Sequence, residues 1–308
     1  MKTLHVVTPV WQSLPISAAL GAPVYLKMEA FQPSGSFKAR GMGAACLAAT
    51  EAGAMRVVCA SGGNAGYAVA YAGHQLGLDV SIIVPQTTPA RSRELIQSTG
   101  AHLLVHGASW DDAYGHAVTL AQRTGAINIH PFDDPQVWRG HASLVREIAE
   151  AGIKPGALVL SVGGGGLLCG VAEGLHAIGW TDVPIVAVET EGASSFAQSV
   201  QADRLITLDR IASIATTLGA RTVAQQALDW TRGHPIVPWV ISDRAAVDAC
   251  LRFADDHCVL VEPACGAALA AGYLRAPALI DRDPVVIVVC GGVGVTRELL
   301  QKWDYQIR

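Results

Sequence analysis

The chain has 308 residues, a length that predicts two domains rather than one small one. It is 51% hydrophobic and 16% charged with 32 glycines, which excludes a disordered chain and predicts a compact protein with many tight backbone positions. The formal net charge is -4 and lysine and arginine do not cluster, so the sequence predicts neither a nucleic-acid nor a membrane partner.

The cysteines and the apolar segments indicate the cellular setting. The chain has seven cysteines, most of them in apolar runs and none in a Cys-x-x-Cys pair, which predicts reduced, buried thiols in a cytoplasmic protein. The N-terminus lacks the apolar core of a signal peptide. Residues 57–78 carry no charged side chain, but Ser61-Gly62-Gly63-Asn64 interrupts them, so we interpret them as strand, loop and helix rather than a membrane span.

The first half of the chain alternates predicted strands with predicted helices. The strands are expected at residues 24–29, 56–60, 80–85, 102–105 and 126–129, and the helices at residues 41–52, 65–76, 91–98 and 111–123. Short, regular βα units of this kind predict parallel strands with helices on both faces of the sheet.

The second half begins with a turn-rich segment, residues 131–135, which predicts a crossing between domains. Helices are expected at residues 138–151, 242–255 and 267–274, and strands at residues 157–162, 185–189 and 285–289. Ser242 is the predicted N-cap of its helix. Residues 205–218 are interpreted as a surface loop with at most a short helix. The predicted fold class is therefore α/β.

One lysine lies in an unusual setting. Lys38 follows an aromatic residue within a run of small, turn-forming residues, Pro33-Ser34-Gly35-Ser36-Phe37-Lys38-Ala39-Arg40-Gly41. A lone lysine is usually a solvated surface charge. Here small residues permit close backbone approach and Phe37 can supply an apolar wall, so the amine can be partly desolvated. Such an amine can react as a nucleophile or a base.

A run of four glycines, Gly163 to Gly166, follows a predicted strand and opens a helix. Backbone N–H groups at such a helix start favour a phosphate. A dinucleotide site is the rival interpretation, but Leu168 stands where the Gly-x-Gly-x-x-Gly pattern needs its third glycine. Glu189 lies about the right distance away to hold a ribose, so this alternative stays open, as does mere tight packing.

Two further segments carry weaker signals. Ser61-Gly62-Gly63-Asn64-Ala65-Gly66 ends a strand and opens a helix, so it can hold a carboxylate, although the residues alone favour an ordinary capped turn. Cys290 ends a buried strand, where a cysteine is usually core filler. The ten histidines show neither His-Glu-x-x-His nor Ser-His-Asp spacing, so each is interpreted as surface or core.

The segment Ser-Gly-Ser-Phe-Lys-Ala-Arg-Gly resembles the lysine segment of the fold-type II pyridoxal-phosphate enzymes. The asparagine loop, the glycine loop and Cys290-Gly291-Gly292 match that family in the expected order, so the resemblance covers nearly the whole chain. Within the family, the chain is similar to the L-serine/L-threonine dehydratases, especially the short serine dehydratases without a regulatory domain.

The resemblance implies a tryptophan synthase β-like architecture. Two domains are expected, each with a mainly parallel twisted sheet flanked by helices. Residues 1–35 and 135–308 form the large, cofactor-binding domain, and residues 36–134 form the small domain. The family also implies a homodimer.

The resemblance implies a role for each matched residue. Lys38 carries the cofactor as a Schiff base and later removes the α-proton, and Asn64 hydrogen-bonds the phenolic oxygen. Phe37 and Thr217 sandwich the ring, and Cys290 faces the pyridine nitrogen. The implied cofactor-binding set is Phe37, Lys38, Asn64, Gly163, Gly164, Gly165, Gly166, Leu167, Thr217, Cys290 and Gly291. The implied substrate-binding set is Ser61, Gly62, Asn64 and Ala65.

The segment Thr217-Leu218-Gly219-Ala220 resembles the family segment that lends backbone carbonyls to a monovalent cation, expected to be K+. Sequence physics alone interprets it as an ordinary loop. The implied ligands, whose oxygens suit a hard cation, are Gly163, Glu189, Ala193, Leu218 and Ala220.

The implied reaction is deamination of L-serine, and also of L-threonine, to the 2-oxo acid and ammonia, with the cofactor phosphate protonating the leaving hydroxyl group. Related activities remain open: threonine synthase, cysteine synthase-type β-replacement and serine racemase. The family's racemases use a serine as a second base, which the Gly62-Gly63 pair does not provide. A catalytically silent cofactor-binding protein and a nicotinamide dehydrogenase are the alternatives from other classes.

Overall fold

The computed structural model describes residues 3–307, which form two compact units. The first unit takes in the chain up to Val6 and Gln32–His141. The second takes in Val7–Phe31 and the chain from Ala142 onward. The predicted domain bounds at residues 36 and 134 stay a prediction.

The described elements alternate along the chain. The strands are β1 (Val10–Gln12), β2 (Val24–Lys27), β3 (Arg56–Ala60), β4 (Asp79–Val84), β5 (His102–Val105), β6 (Ile127–Asn128), β7 (Ala157–Ser161), β8 (Ile185–Thr190), β9 (Ile236–Ile241) and β10 (Val285–Val288). The helices are α1 (Leu14–Leu20), α2 (Lys38–Glu51), α3 (Asn64–Leu76), α4 (Ala90–Ser98), α5 (Trp110–Thr124), α6 (Pro135–Glu150), α7 (Gly166–Ala177), α8 (Ser195–Ala202), α9 (Gln225–Gly233), α10 (Asp243–His257), α11 (Pro263–Tyr273) and α12 (Arg297–Gln306).

The first unit is built on a four-stranded parallel sheet in the order β5-β4-β3-β6. Its core joins β-branched strand residues such as Val58 and Ile83 to alanines of α5, Ala113 and Ala117, whose small side chains let the helix lie close to the sheet. Because β3 and β6 are parallel neighbours, the residues that follow them, Ser61 and His130, emerge at the same edge.

The second unit is built on a six-stranded sheet in the order β1-β2-β10-β7-β8-β9. Only β1 pairs antiparallel with its neighbour. Every residue of β7, β8 and β10 is buried, as expected of parallel strands covered on both faces. The carboxyl ends of β7 and β10 lie at one edge, and there the glycine loop and Cys290 follow.

The predicted α/β class with mainly parallel sheets is confirmed. Several element bounds differ from the prediction. α2 begins at Lys38 rather than at Gly41, so the lysine is the first helical residue and not part of a loop. α11 begins at Pro263 rather than at Ala267, because proline is well suited to the first turn of a helix.

Two further features bear on function. No helix within residues 3–307 has both the length and the apolar character needed to span a membrane. All seven cysteines fall in this described range and are free thiols, with Cys258 exposed and the other six buried.

Candidate functional site

Lys38 is placed by the start of α2 in the first unit. Its Nζ donates a hydrogen bond to the carbonyl oxygen of Pro131 at 2.5 Å. The same nitrogen lies 5.1 Å from the ring centroid of Phe37, the N-cap residue. The side chain is partly buried. The helix start therefore holds the amine between a neutral carbonyl and an aromatic ring.

Two histidines and a cysteine near Lys38 are held in their neutral forms. Burial, and then the positive charge of Lys38, lowers the pKa of His130 to about 4. Burial, Lys38 and Arg40 hold the pKa of His141 well below its usual value. Burial raises the pKa of Cys59 to about 12, against the opposing effect of Lys38. At neutral pH the lysine is thus flanked by uncharged imidazoles and an uncharged thiol.

The loop from Ser61 to Asn64 connects β3 to α3. Gly63 is the N-cap of α3 and supplies no side-chain hydrogen bond to the helix. The first-turn N–H groups have no intrahelical acceptor and lie at the positive end of the helix dipole, so they suit a carboxylate. Ser61 Oγ accepts a hydrogen bond from the N–H of Gly63 at 3.3 Å.

Close packing requires glycine in this loop. A Cβ on Gly66 would lie 1.9 Å from the carbonyl oxygen of Ser61. A Cβ on Gly62 would lie 2.5 Å from Thr88 Oγ1 and 2.6 Å from Thr88 Cγ2. Thr88 is nearly buried and fills the space beside Gly62. The loop backbone is thereby fixed, and no side chain fits at position 62.

The glycine loop of the second unit connects β7 to α7. Gly165 is the N-cap of α7, with φ of 88° and no side-chain cap. A Cβ there would lie 2.7 Å from Ala227 Cβ, and a Cβ on Gly163 would lie 3.1 Å from Leu218 Cα. A side chain at position 165 would clash, and one at position 163 would press on the backbone of Leu218, so glycine at both positions keeps the backbone N–H groups of the loop approachable. Such a cradle fits a phosphate group.

Glu262, which the sequence did not single out, lies close to both Thr217 and the Cys290 segment in the second unit. Thr217 Oγ1 donates to Glu262 Oε1 at 2.8 Å, and a Cβ on Gly292 would lie 2.5 Å from Glu262 Cγ. Cys290 is buried, and its hydrogen bond to Cys265, burial and the charge of Glu262 raise its pKa well above the usual value. Its thiol stays neutral.

The predicted cation ligands are connected within the second unit. Glu189 is fully buried and accepts hydrogen bonds from the N–H groups of Phe196 and Ala197 at 2.9 and 2.7 Å. Ser195 Oγ donates to the carbonyl oxygen of Ala220 at 3.0 Å. Burial raises the pKa of Glu189 to about 7. Because its oxygens cap α8, Glu189 is not placed as the ribose-binding carboxylate of a dinucleotide site.

Ala193 and Leu218 each take part in backbone hydrogen bonding in the second unit. The N–H of Ala193 donates to the carbonyl oxygen of Thr190 at 3.0 Å, and the carbonyl oxygen of Leu218 accepts from the N–H of Ala220 at 2.8 Å. Within residues 3–307, no group of three or more histidine, cysteine, aspartate or glutamate side chains forms a metal site. Backbone carbonyls would therefore supply most of the ligands in this set.

Sequence reasoning missed three residues of these sites: Thr88, His130 and Glu262. Thr88 and Glu262 act through packing against glycines, which no sequence pattern reveals. His130 was interpreted as one of ten surface or core histidines. Its position directly after a predicted strand, like that of Ser61 after β3, was the available signal.

Comparison with known proteins identifies a matching family and similar proteins that cover nearly the whole chain. The family described as "Pyridoxal-phosphate dependent enzyme" matches residues 1–291. The L-serine dehydratase/L-threonine deaminase of Homo sapiens is 48% identical over 316 aligned positions, covering 99% of this chain and 96% of that protein.

Two solved structures resemble the whole chain. An L-serine ammonia-lyase from the fungus Rhizomucor miehei has a TM-score of 0.93 and 37% identity, with 100% of both chains covered. A maize serine racemase has a TM-score of 0.90 and 30% identity, covering 98% of this chain and 93% of that chain.

Proposed function

Because the chain belongs to the family of pyridoxal-phosphate dependent enzymes, we propose that it is a lyase that converts L-serine to pyruvate and ammonia. L-Threonine, which gives 2-oxobutanoate, is the second proposed substrate. The names of the relatives support both substrates. The single observation that carries the proposal is the Lys38 amine, partly buried at the start of α2 and bonded to the Pro131 carbonyl.

The residues present fit the cofactor. The glycine cradle at positions 163 to 166 has backbone N–H groups that suit the phosphate, because a Cβ at position 163 or 165 would fill the space. When bound, pyridoxal phosphate supplies an electron sink that makes the α-proton of an attached amino acid acidic. The neutral Cys290 thiol cannot hold a proton on the ring nitrogen as an aspartate would, which suits elimination chemistry.

Lys38 performs two tasks in this proposal. Its Nζ would hold the cofactor covalently, and its free, neutral amine would accept the α-proton of the substrate. A neutral amine is a competent base only where nearby groups do not stabilise its ammonium form. The neutral state of His130 and His141 is consistent with such surroundings.

The remaining matched residues are proposed to bind and orient the substrate and the cofactor. The Ser61 hydroxyl and the N–H groups at Gly62 and Ala65 are proposed to hold the substrate carboxylate, and Asn64 to bond the phenolic oxygen. Flat contacts to the ring are assigned to Phe37 and Thr217, with Leu167 next to the phosphate and Gly291 beside Cys290.

A monovalent cation, K+, is proposed at the oxygens of Gly163, Glu189, Ala193, Leu218 and Ala220. Support comes from the buried Glu189 carboxylate, which accepts hydrogen bonds at the start of α8, and from Ser195 of the same helix, which donates to the carbonyl oxygen of Ala220. A hard cation prefers oxygen ligands. A cation bound to Glu189 would offset the free-energy cost of ionising that buried carboxylate.

The proposal also covers the cellular compartment, the oligomeric state and the domain bounds of the enzyme. We propose a cytoplasmic homodimer, with residues 1–35 and 135–308 as the large domain and residues 36–134 as the small domain. The free cysteines support a reducing compartment. Light scattering after size-exclusion chromatography measures the oligomeric state, and a monomer would contradict the dimer.

The test is release of pyruvate and ammonia from L-serine, with and without added pyridoxal phosphate and K+, alongside the visible absorption spectrum. A cofactor band together with pyruvate supports the lyase. A band without pyruvate contradicts the lyase and leaves the cofactor site standing. Absence of a band contradicts the assignment of Lys38.

Serine racemisation is the second candidate, because the maize serine racemase resembles nearly the whole chain. Packing argues against it, since Thr88 leaves no room for a side chain, and hence for a second base, at position 62. Chiral chromatography of the same reaction separates the two activities. Formation of D-serine faster than pyruvate would favour the racemase.

A further inference from the structure

His130 lies at the sheet edge from which the loop after β3 emerges, next to the residue that accepts a hydrogen bond from Lys38. β6 pairs with β3 in parallel register, Val58 opposite Asn128, and the N–H of Ile129 donates to the carbonyl oxygen of Val58 at 2.8 Å. His130 therefore follows β6 at the edge where Ser61 follows β3. The next residue along the chain, Pro131, accepts the hydrogen bond from Lys38.

The tautomer of His130 is fixed by the backbone. Nδ1 accepts hydrogen bonds from the N–H groups of Asp133 at 2.8 Å and Phe132 at 3.4 Å. A backbone N–H only donates, so Nδ1 carries no hydrogen and the neutral ring has its hydrogen on Nε2. Within residues 3–307, Nε2 has no hydrogen-bond acceptor.

Aromatic side chains hold the ring in place. The centroids of Phe132, Tyr114 and Trp110 lie 4.6, 5.2 and 5.9 Å from that of His130, each nearly perpendicular to it. Trp110 Nε1 donates to the carbonyl oxygen of Ala60 at 2.8 Å, directly before the substrate loop. Trp110 therefore contacts both the imidazole and the residue before the loop.

The charge state determines what such a ring can do. With a pKa of about 4, His130 is neutral at physiological pH and is not the imidazolium that a general acid requires. A neutral ring with a fixed Nε2–H is a hydrogen-bond donor. The acceptor best suited to it is an anion, and the neighbouring helix start is the place proposed for a carboxylate.

We propose that His130 is a substrate-binding residue whose Nε2–H donates a hydrogen bond to the carboxylate of the amino acid held at residues 61–64. The inference rests on the proposed function in taking an α-amino acid as the ligand. It adds a donor from β6 to those that the loop after β3 provides.

The test uses L-alanine, which has the amine and the carboxylate but no leaving group, so binding is measured without elimination. Titration of the cofactor-loaded protein, followed by its visible band, gives the dissociation constant. We expect His130→Phe to raise it roughly 10- to 100-fold, as for loss of a hydrogen bond to a charged group. His130→Gln keeps an N–H donor and should recover most of the affinity. His74→Phe, an exposed histidine of α3, is the matched control and should have no effect.

The substrate oxygen is identified by comparing L-alanine with L-serine. If His130→Phe raises the dissociation constants of both ligands by the same factor, the bond is to the carboxylate. If it weakens the binding of L-serine alone, the bond is to the hydroxyl group, and the proposal is overturned. Nitrogen-15 NMR of the wild-type histidines requires neither turnover nor a variant that folds. An Nε2–H tautomer at His130 whose resonance moves on addition of L-alanine supports the proposal. An unchanged resonance at saturating ligand, or no binding of L-alanine, contradicts it, whatever the pyruvate assay shows.

Discussion

Lys27 and Lys38 lie on successive segments of the chain, and both amines are withdrawn from water, but they meet different partners. Lys27 is fully buried on β2, and its Nζ donates to Glu147 Oε2 at 2.5 Å and to the carbonyl oxygen of Thr8 at 2.8 Å. Lys38 is partly buried at the start of α2 and donates to the Pro131 carbonyl at 2.5 Å.

The difference shows that burial alone does not make a lysine reactive. A carboxylate stabilises the ammonium form of a lysine, which suits Lys27 to a structural role. A carbonyl accepts the hydrogen bond without contributing a charge, and the histidines nearest Lys38 are held neutral. In these described contacts the two lysines differ in the charge of the acceptor: a carboxylate for Lys27 and a backbone carbonyl for Lys38.

The largest expected effect is that of Lys38→Ala. Turnover of L-serine should fall at least about 10³-fold, because the variant lacks both the covalent anchor and the base. The visible band of the bound cofactor should disappear, while the urea midpoint of the apoprotein stays near that of the wild type. Turnover within tenfold of wild type would contradict the lysine assignment.

Lys27→Ala should show the opposite pattern. Removing the amine leaves the Glu147 carboxylate buried without its cation, at an expected cost of about 3–5 kcal/mol in the free energy of unfolding. The cofactor band should remain in the folded fraction. Urea unfolding measures the loss.

The double variant Lys27→Met/Glu147→Leu is the matched control for Lys27→Ala. Because it removes both charges, it should recover most of the stability. A double variant as unstable as the single one would show that packing, rather than the ion pair, is responsible.

Asn64→Ala tests whether the substrate loop contributes independently of Lys38. Loss of a hydrogen bond to a charged oxygen should lower kcat/KM roughly 10- to 100-fold. The cofactor should stay bound, because Lys38 and the glycine loop are intact. Steady-state kinetics and the visible spectrum measure the two effects in one sample. Unchanged turnover would mean that the loop is wrongly assigned.

The smallest expected effect concerns Glu189, a buried carboxylate whose described partners are backbone N–H groups rather than a lysine. Burial raises its pKa from the usual 4.5 to about 7. Its contribution to stability is therefore fully present below about pH 4.5 and is lost as the pH rises through about 7. Bound K+ should lower this pKa and reduce the loss.

We therefore expect the melting temperature to fall between pH 5 and pH 8 in choline chloride, and to fall less in potassium chloride. The difference at pH 8 should be about 2–4 °C, equivalent to about 1 kcal/mol. Glu189→Gln, which cannot ionise, should show no difference between the two salts. An equal salt effect in this variant would contradict a cation at Glu189.

The sequence allowed the parallel βα units to be predicted where periodicity and caps agree. β3 and β5 have the predicted bounds, and Ser242 is the N-cap of α10, accepting from the N–H of Ala245 at 3.2 Å. In these segments the local signal and the tertiary contacts favour the same structure.

Other elements were missed because their local signal is weak. α8, α9 and α12 were not predicted. β9 contains Pro238, which weakens a strand signal yet is tolerated at the edge of a sheet, where β9 lies.

The candidate site likewise contains residues that the sequence predicted and residues that only the structure revealed. Lys38 and the four glycines stand in segments whose residue types already point to a site, whereas Asn64 was singled out through the family resemblance. Thr88 and Glu262 depend on contacts between segments distant in sequence, Thr88 with Gly62 and Glu262 with Gly292. Such contacts are set by packing and leave no periodic signal.

The contact between Gly62 and Thr88 also constrains how this sequence can change. A Cβ at position 62 would meet both the hydroxyl group and the methyl group of Thr88, whereas shortening residue 88 to alanine would leave that Cβ 3.1 Å from the remaining Cβ. A new side chain at position 62 therefore requires Thr88 to shift, and shortening residue 88 reduces the displacement that is needed. We expect the effects of substitutions at the two positions to be non-additive.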